Sequence, residues 1–411
     1  MDKIIHPYIT KINNLKCVLV NFPCSQVVSA GFFVKVGSAY EEKSVRGVSH
    51  FLEHMLFKKR TNKLDELGIS YNAATSRDYT YYECHGSSDQ IKDIILLLFM
   101  IMTQPAFEEK EIKNERNVIF EEMKGDQMSY TKQLYEVAIN IIYKNKNKDY
   151  ALPIIGNVDT LNNMNIKKLK EYFDEYYHYD NSTLVIVGNM NKQSILQQIK
   201  TLVNKYPRTG TKTCDINITD GKIDRKVFIR RENNLPQTMM MINFYIKDLT
   251  EIQKIHFYLL NHILTGNFMS ILVNELRVKR GLCYGISSDS MLIKTNDLYN
   301  GIFYIKVDSD PSKIKECLKL ILQIILHRKI NKAAYINSKK SLNNILSFSF
   351  QTSKDYLYYF GTMMLNNDTI LPGKIMDILK KTTLKDINDL LGIIKKGELF
   401  VNMIGLFGSK K

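Results

Sequence analysis

Two spacings of apolar residues run along this chain, and the changes between them mark out its elements. CVLVNF (17–22) and SAGFFVKVG (29–37) are dense in Val and Phe and stop at Pro or Gly, which predicts two strands. Over 44–57 the spacing becomes helical, with Val48, Phe51, Leu52, Met55 and Leu56 on one side and Ser44 as the predicted N-cap. The Thr- and Tyr-rich stretch YNAATSRDYTYYECHG (71–86) predicts a strand pair. Helices are predicted over 89–125, broken at Pro105, and over 129–145 and 165–178. TLVIVGN (183–189) then reads as a strand. The longest apolar run, IILLLFMIM (94–102), has nine residues, against the ~20 that a spanning helix needs. It predicts a buried helix, and no membrane-spanning segment is expected.

The pattern also repeats. MNIKKLKEYFDEYYHYDNSTLVIVGNM (164–190) and TTLKDINDLLGIIKKGELFVNMIGLFG (382–408) each hold an Asn- or Thr-started amphipathic helix, a polar turn and a strand running to Gly. Between them, KYPRTGTKTCDINITDGKID (205–224) is polar, holds Pro and Gly, and has little apolar periodicity. The prediction is an α+β protein of two homologous domains, each a mostly antiparallel sheet with helices packed on it. The expected division is residues 1–206, a linker over 207–224, and residues 225–411. A length of 411 residues with 45% apolar content agrees, being too long for one ordinary core.

Charge alters this picture little. The net charge is +15, but the basic residues come in short scattered pieces such as KKR (58–60) and RRE (230–232). No basic stripe or nucleic-acid motif accompanies them, so nucleic-acid binding is not expected. Six cysteines lie far apart with no C-x-x-C pair, which predicts reduced thiols in an intracellular, reducing setting. The opening MDKIIHPYITKINNL has no apolar signal core, so cytoplasmic residence is the expectation.

The candidate chemistry lies in GVSHFLEHMLF (47–57). Successive helical side chains turn by about 100°, so His50, Glu53 and His54 share roughly one third of the circumference, opposite the apolar face. Two imidazoles one turn apart can ligate one metal ion, and zinc suits imidazole-plus-carboxylate sites that keep an open position. Glu53 beside it can take a proton from the attacking water and return it to the leaving amine. H-x-x-E-H is the inverse of H-E-x-x-H and a zinc-hydrolase arrangement. The competing reading is two surface histidines on an amphipathic helix, and a third ligand decides between them. The best source is IKNERNVIFEEMKGD, where Glu115 and Glu122 stand two helical turns apart on one face. His85 next to Cys84 is a poor nucleophilic pair, because neighbours on a strand point to opposite faces.

HFLEHMLFK, NAATSRDYTYY and ERNVIFEEM, in that order, resemble the core of the pitrilysin/insulinase zinc peptidases. The likeness is strongest to mitochondrial processing peptidase and its short bacterial relatives. It extends to VGSAYEE, to LPIIGNVDTL (152–161) and to LRVKRGLCYGISS in the second half. The resemblance implies one Zn²⁺ per chain on His50, His54 and Glu122, with Glu53 as base and Glu115 orienting a histidine ligand. It implies that Arg277 and Tyr284 stabilise the oxyanion. It implies that the strand with Asn72, Ala73 and Thr75 holds substrate by backbone pairing. The interval from His54 to Glu122, 122 − 54 = 68 positions, is short for the family, the difference falling at KKRTNKLDELG. Relatives of this length form half of a closed clam, so a homodimer or a heterodimer with a related subunit is expected, Arg277 and Tyr284 serving the partner's site. Basic presequences fit a chain of +15 poorly as sole substrates. Peptide hydrolysis is thus the expected activity. The rival readings are a catalytically silent partner subunit of the same family and a basic nucleic-acid-binding protein.

Overall fold

The structure, a computed structural model, describes residues 6–23, 25–210, 212–346 and 348–407. Cys24 and the first five residues of the N-terminal stretch therefore lie outside the described residues. The chain forms two compact units. One holds the described residues up to 125 with 148–216 and 350–372, and the other holds 126–147, 217–349 and the residues from 373 on.

The sheet of the first unit is built from β1 (Tyr8–Ile12), β2 (Leu15–Asn21), β3 (Val27–Val34), β4 (Ser70–Thr75), β5 (Thr80–Ser87) and β6 (Ser182–Gly188), in the order β1-β2-β6-β3-β5-β4. The sheet of the second is built from β7 (Val227–Arg230), β8 (Thr238–Leu249), β9 (Cys283–Thr295), β10 (Leu298–Ser309) and β11 (Glu398–Ile404), in the order β7-β11-β8-β10-β9. With the edge strand β1 set aside, the two share one topology. In each, the last strand of the unit inserts in parallel, β6 beside β2 and β11 beside β7, and every other pair is antiparallel. A helix follows the same strand in both, Val48–Lys58 after β3 and Glu251–Thr265 after β8. The echo in the sequence is thus an echo of topology: helix Ile166–Tyr176 leads into β6 as helix Leu384–Lys396 leads into β11. Asn165 and Thr383 cap those helices by accepting the backbone N–H three residues on.

The units do not follow the expected boundaries. Strands β2, β3 and β6 are apolar on both faces, the pattern of a sheet that needs cover on each side. One face packs Ala30, Phe32 and Ile186 against Phe51, Leu52, Leu98 and Phe173. The other presents Val18, Phe33, Val185 and Val187, and is covered by Leu357, Phe360 and Met363 of helix Ser353–Leu365. That helix lies within the predicted C-terminal domain but belongs to the first unit. It sits close because Gly361 lies over the Phe33 ring, where a Cβ would come within 2.3 Å of the ring carbons. Conversely, helix Tyr130–Tyr143 belongs to the second unit, where Asn402 Nδ2 donates to the Leu134 carbonyl at 2.8 Å. Residues 207–224 hold no helix or strand among the described residues, yet they are tied down rather than loose. Lys35 pairs with Asp215 at 2.6 Å, and Thr219 Oγ1 donates to the Lys146 carbonyl at 2.9 Å.

The predicted cap of the helix bearing both histidines is also corrected. Ser44 lies in a separate 3₁₀ turn, Lys43–Val45, and the helix begins at Val48. Its N-terminus is held by Glu41, whose carboxylate accepts from Gly47 N at 2.7 Å and from Ser49 N at 2.8 Å. Two otherwise orphaned donors are satisfied at once, and the negative charge sits at the positive end of the helix. Gly47 is left-handed at φ +88° and passes the Ile155 carbonyl, which a Cβ would approach to 2.7 Å.

Candidate metal centre

The helix carrying both histidines is fixed before its side chains are considered. Phe51, Leu52 and Met55 are fully buried or nearly so, and anchor its apolar face. Its entry is braced by the segment from Pro153 to Met164. There Thr160 Oγ1 donates to the Arg46 carbonyl at 2.7 Å, and Arg116 donates to the Leu161 and Met164 carbonyls. Arg46 pairs with Asp149 and donates to the Ser38 carbonyl. Burial pushes the Glu41 carboxyl up to about 7, against the opposing pull of the Gly47 and Ser49 amides.

Glu41→Ala would leave two buried N–H groups without a partner, at a cost of about 2–4 kcal/mol. The pH dependence has a definite sign. A carboxyl whose folded pKa is raised favours the folded state below its unfolded pKa and loses that contribution as pH rises toward 7. The loss is on the order of 3 kcal/mol. The melting-temperature gap between wild type and Glu41→Ala is therefore expected to be wider at pH 5 than at pH 8.

Helix Glu109–Met128 lies against this helix and brings Glu115 and Glu122 to the histidines. One oxygen of Glu122 faces both rings: Oε2 is 3.5 Å from His50 Nε2 and 3.6 Å from His54 Nε2. One donor atom from each of His50, His54 and Glu122 lies within 4.8 Å of the others. The rings are 4.8 Å apart and tilted at 70°, so both Nε2 atoms converge without stacking. Glu115 is buried and accepts from His54 Nδ1 at 3.1 Å and from Lys58 Nζ at 2.6 Å. A proton held on Nδ1 leaves Nε2 with its lone pair toward the cluster. Burial alone would lower the His54 pKa, but hydrogen bonds to Glu122 and Glu115 and the charge of Glu53 outweigh it and raise it. Two imidazoles and a half-exposed carboxylate at this spacing fit one zinc ion with a position left for water.

Glu53 stands beside the cluster and is not part of it. Its Oε2 accepts from Thr75 Oγ1 at 3.0 Å. Burial raises its pKa, with the neighbouring Glu122 adding to the rise and His54 and Thr75 opposing it. Thr75 ends β4, the edge strand of its sheet, which pairs with β5 alone. Ala73 shares the face of Thr75 and packs against the core, while Asn72 lies on the opposite face. The structure thus ties the strand edge to the glutamate.

Arg277 and Tyr284 lie together in the second unit. Arg277 sits in a π-helical turn, Val273–Val278, with its guanidinium 5.7 Å from the Tyr284 ring and 5.2 Å from the Phe268 ring. Tyr284 is 73% exposed, and Arg277 has no carboxylate partner among the described residues.

Of the remaining histidines, His85 bonds Ser29 Oγ at 2.8 Å and faces Glu83, away from Cys84, which packs in the core on the other face. Sequence reasoning missed Glu41 and Lys58. The signal for Lys58 was its place one helical turn beyond His54, and Glu41 has no local signal.

Residues 16–154 match the family described as Insulinase (Peptidase family M16), and residues 163–341 match the Peptidase M16 inactive domain. The chain belongs to the insulinase family. Its relatives in that family include an uncharacterized zinc protease of Bacillus subtilis, 24% identical over 92% of this chain and 93% of the relative. The mitochondrial-processing peptidase subunit beta of Saccharomyces cerevisiae is 23% identical over 91% of this chain and 85% of its own length. The insulinase-family fold recurs in the crystal structure of a protease from Helicobacter pylori, with TM-score 0.86, 20% identity and coverage of 98% and 100%. It recurs in a peptidase M16 inactive domain from Pseudomonas fluorescens, with TM-score 0.85, 15% identity and 99% of each chain covered. Among the described residues, no helix is long and apolar enough to cross a membrane.

Proposed function

We propose that this chain is a zinc-dependent endopeptidase that hydrolyses peptides or unfolded protein segments. The observation that carries the reading is the convergence of His50, His54 and Glu122 with Glu53 beside them, on an insulinase-family scaffold whose relatives are named zinc proteases. His50 Nε2, His54 Nε2 and a Glu122 oxygen would hold one Zn²⁺ per chain. The ion supplies Lewis acidity toward water and toward the scissile carbonyl. Glu53 takes the proton from the attacking water and gives it to the leaving amine, its carboxylate held by the Thr75 hydroxyl. Burial makes Glu53 a stronger base than an exposed carboxylate. Glu115 keeps His54 in the tautomer that offers Nε2, with Lys58 neutralising it. The free edge of β4 receives substrate as an added strand, through backbone hydrogen bonds that do not read sequence. Digestion of a mixed peptide library, read by mass spectrometry, tests this reading. Cuts by the wild type that vanish in Glu53→Gln support it. A zinc-loaded chain that cuts nothing supports the silent-subunit reading instead.

Arg277 and Tyr284 stabilise the oxyanion from one chain of a dimer for the site of the other. Their mutual contact, and the exposure of Tyr284, leave a cation and a phenol available to a substrate carbonyl. The prediction is recovery on mixing. Glu53→Gln and Tyr284→Phe chains are each poorly active alone. After random pairing they are expected to regain roughly a quarter of wild-type activity, since each mixed dimer keeps one site free of both changes. No recovery would mean that each chain completes its own site.

A further inference from the structure

The second unit contains an open cavity of about 670 Å³ that the proposed reaction does not use. Its volume lies within the usual ligand-pocket range of roughly 300–1,000 Å³. The apolar part of its wall is aliphatic, with Leu264, Ile324, Ile325 and Ile330 all buried and Ala334 beside them, and Asn267, Asn331, Asn337 and Ser338 make up a polar part. The one aromatic side chain lining it, Phe268, is 63% exposed, so little here would stack a planar ring. Four charged residues line it. Glu275 is already neutralised by Lys279 and Arg280, each at 2.6 Å. Arg328 and Lys329 are exposed and have no carboxylate partner among the described residues. A buried aliphatic wall beside uncompensated cations fits a flexible apolar chain ending in an anion, and a guanidinium fork matches a carboxylate.

We propose that this cavity binds a long-chain aliphatic carboxylate, and that filling it shifts the placement of Arg277. The coupling has a physical route. Asn274 and Glu275 of the π-helical turn line the cavity, and Arg277 belongs to the same turn. Phe268 lines it too, and its ring carries the Arg277 guanidinium at 5.2 Å. A chain lodged against Phe268 and the turn moves both supports of the cation. π-helical turns interrupt regular α-helical bonding and recur at functional sites, which makes this one a suitable element to shift. The binding half of this inference stands without the proposed peptidase reading, and the regulatory half rests on the role given there to Arg277.

The chain has no tryptophan, so Phe268→Trp places a unique fluorophore against the cavity. Titration of that full-length variant with sodium myristate, below its micelle concentration, is expected to give a saturable one-site response. Calorimetry on the wild type is expected to return the same affinity, and it stands alone if the tryptophan variant does not fold. In the calorimetric titration, the Arg328→Ala/Lys329→Ala pair is expected to weaken binding about tenfold or more, as is replacing myristate by tetradecanol. Ala334→Met, which fills the space and leaves the charges, is expected to abolish binding. Myristate is then expected to change peptide hydrolysis by the wild type and not by Ala334→Met. Absence of a saturable response overturns the proposal. So does binding that survives Ala334→Met, or tetradecanol binding as tightly as myristate, or saturation by an apolar peptide alone. Binding with no effect on an active enzyme overturns the coupling to Arg277, whereas a chain that binds myristate but cuts no peptide indicts the peptidase reading instead.

Discussion

Glu53→Gln is expected to lower kcat for peptide hydrolysis by about 10²–10⁴-fold, the usual worth of a positioned general base, while bound zinc stays unchanged. The replacement is nearly isosteric. A glutamine carbonyl still accepts from Thr75 Oγ1, so the side chain keeps its place, but it cannot take a proton. Glu53 is outside the cluster of donor atoms formed by His50, His54 and Glu122, so the ligand set survives. Its charge also helps to raise the His54 pKa, so its loss favours the neutral imidazole that a metal needs. Steady-state kinetics on a quenched peptide, with metal content by plasma mass spectrometry, measures both effects. Loss of zinc along with activity would place Glu53 among the ligands instead.

Metal affinity is expected to fall in a graded way along the chain of contacts. Glu115→Gln leaves the three donors in place but removes the charge that His54 Nδ1 and Lys58 share. Zinc binding is expected to weaken by about 10–100-fold, the effect of losing a partner that orients a ligand. His54→Ala removes a ligand and breaks that contact at once, so its loss is expected to exceed that range and to leave the purified protein without zinc. Both variants should stay folded, because the helix is held by Phe51, Leu52, Met55 and the Glu41 cap rather than by the cluster. Competition with a chromophoric chelator gives the affinities, and circular dichroism the fold. Equal affinity for wild type and Glu115→Gln would show that the His54–Glu115 bond does not tune the site.

What could be read in the sequence, and what could not, divides by range. Val48, Phe51, Leu52 and Met55 mark a helix through local spacing, and the same spacing puts His50 and His54 on its other side. Glu115 and Glu122 share a helix face for the same reason, so the structure brings together the residues that spacing had singled out. The repeated helix–strand ending predicted two alike units, and both sheets do insert that strand in parallel, beside β2 in one and β7 in the other. The cover of each sheet was not legible. Nothing local in SKDYLYYFGTMML says which apolar sheet face it will meet, and the answer came from Val18, Phe33 and Val185, far away in sequence. The Glu41 cap escaped likewise, because Ser44 is the better local cap and only the turn at Gly47 brings the carboxylate round to the helix end. Thr75 was legible as part of a strand edge, but its bond to Glu53 depends on how β4 lies across that helix.

The most direct test of the account is metal-dependent cleavage. Protein stripped with a chelator is titrated with zinc while hydrolysis of a peptide mixture is followed by mass spectrometry. The account predicts no cutting without metal, activity that rises to a plateau at one zinc per chain, and no such rise in Glu53→Gln. Cutting that persists in the stripped protein, or that is the same in Glu53→Gln, would contradict it.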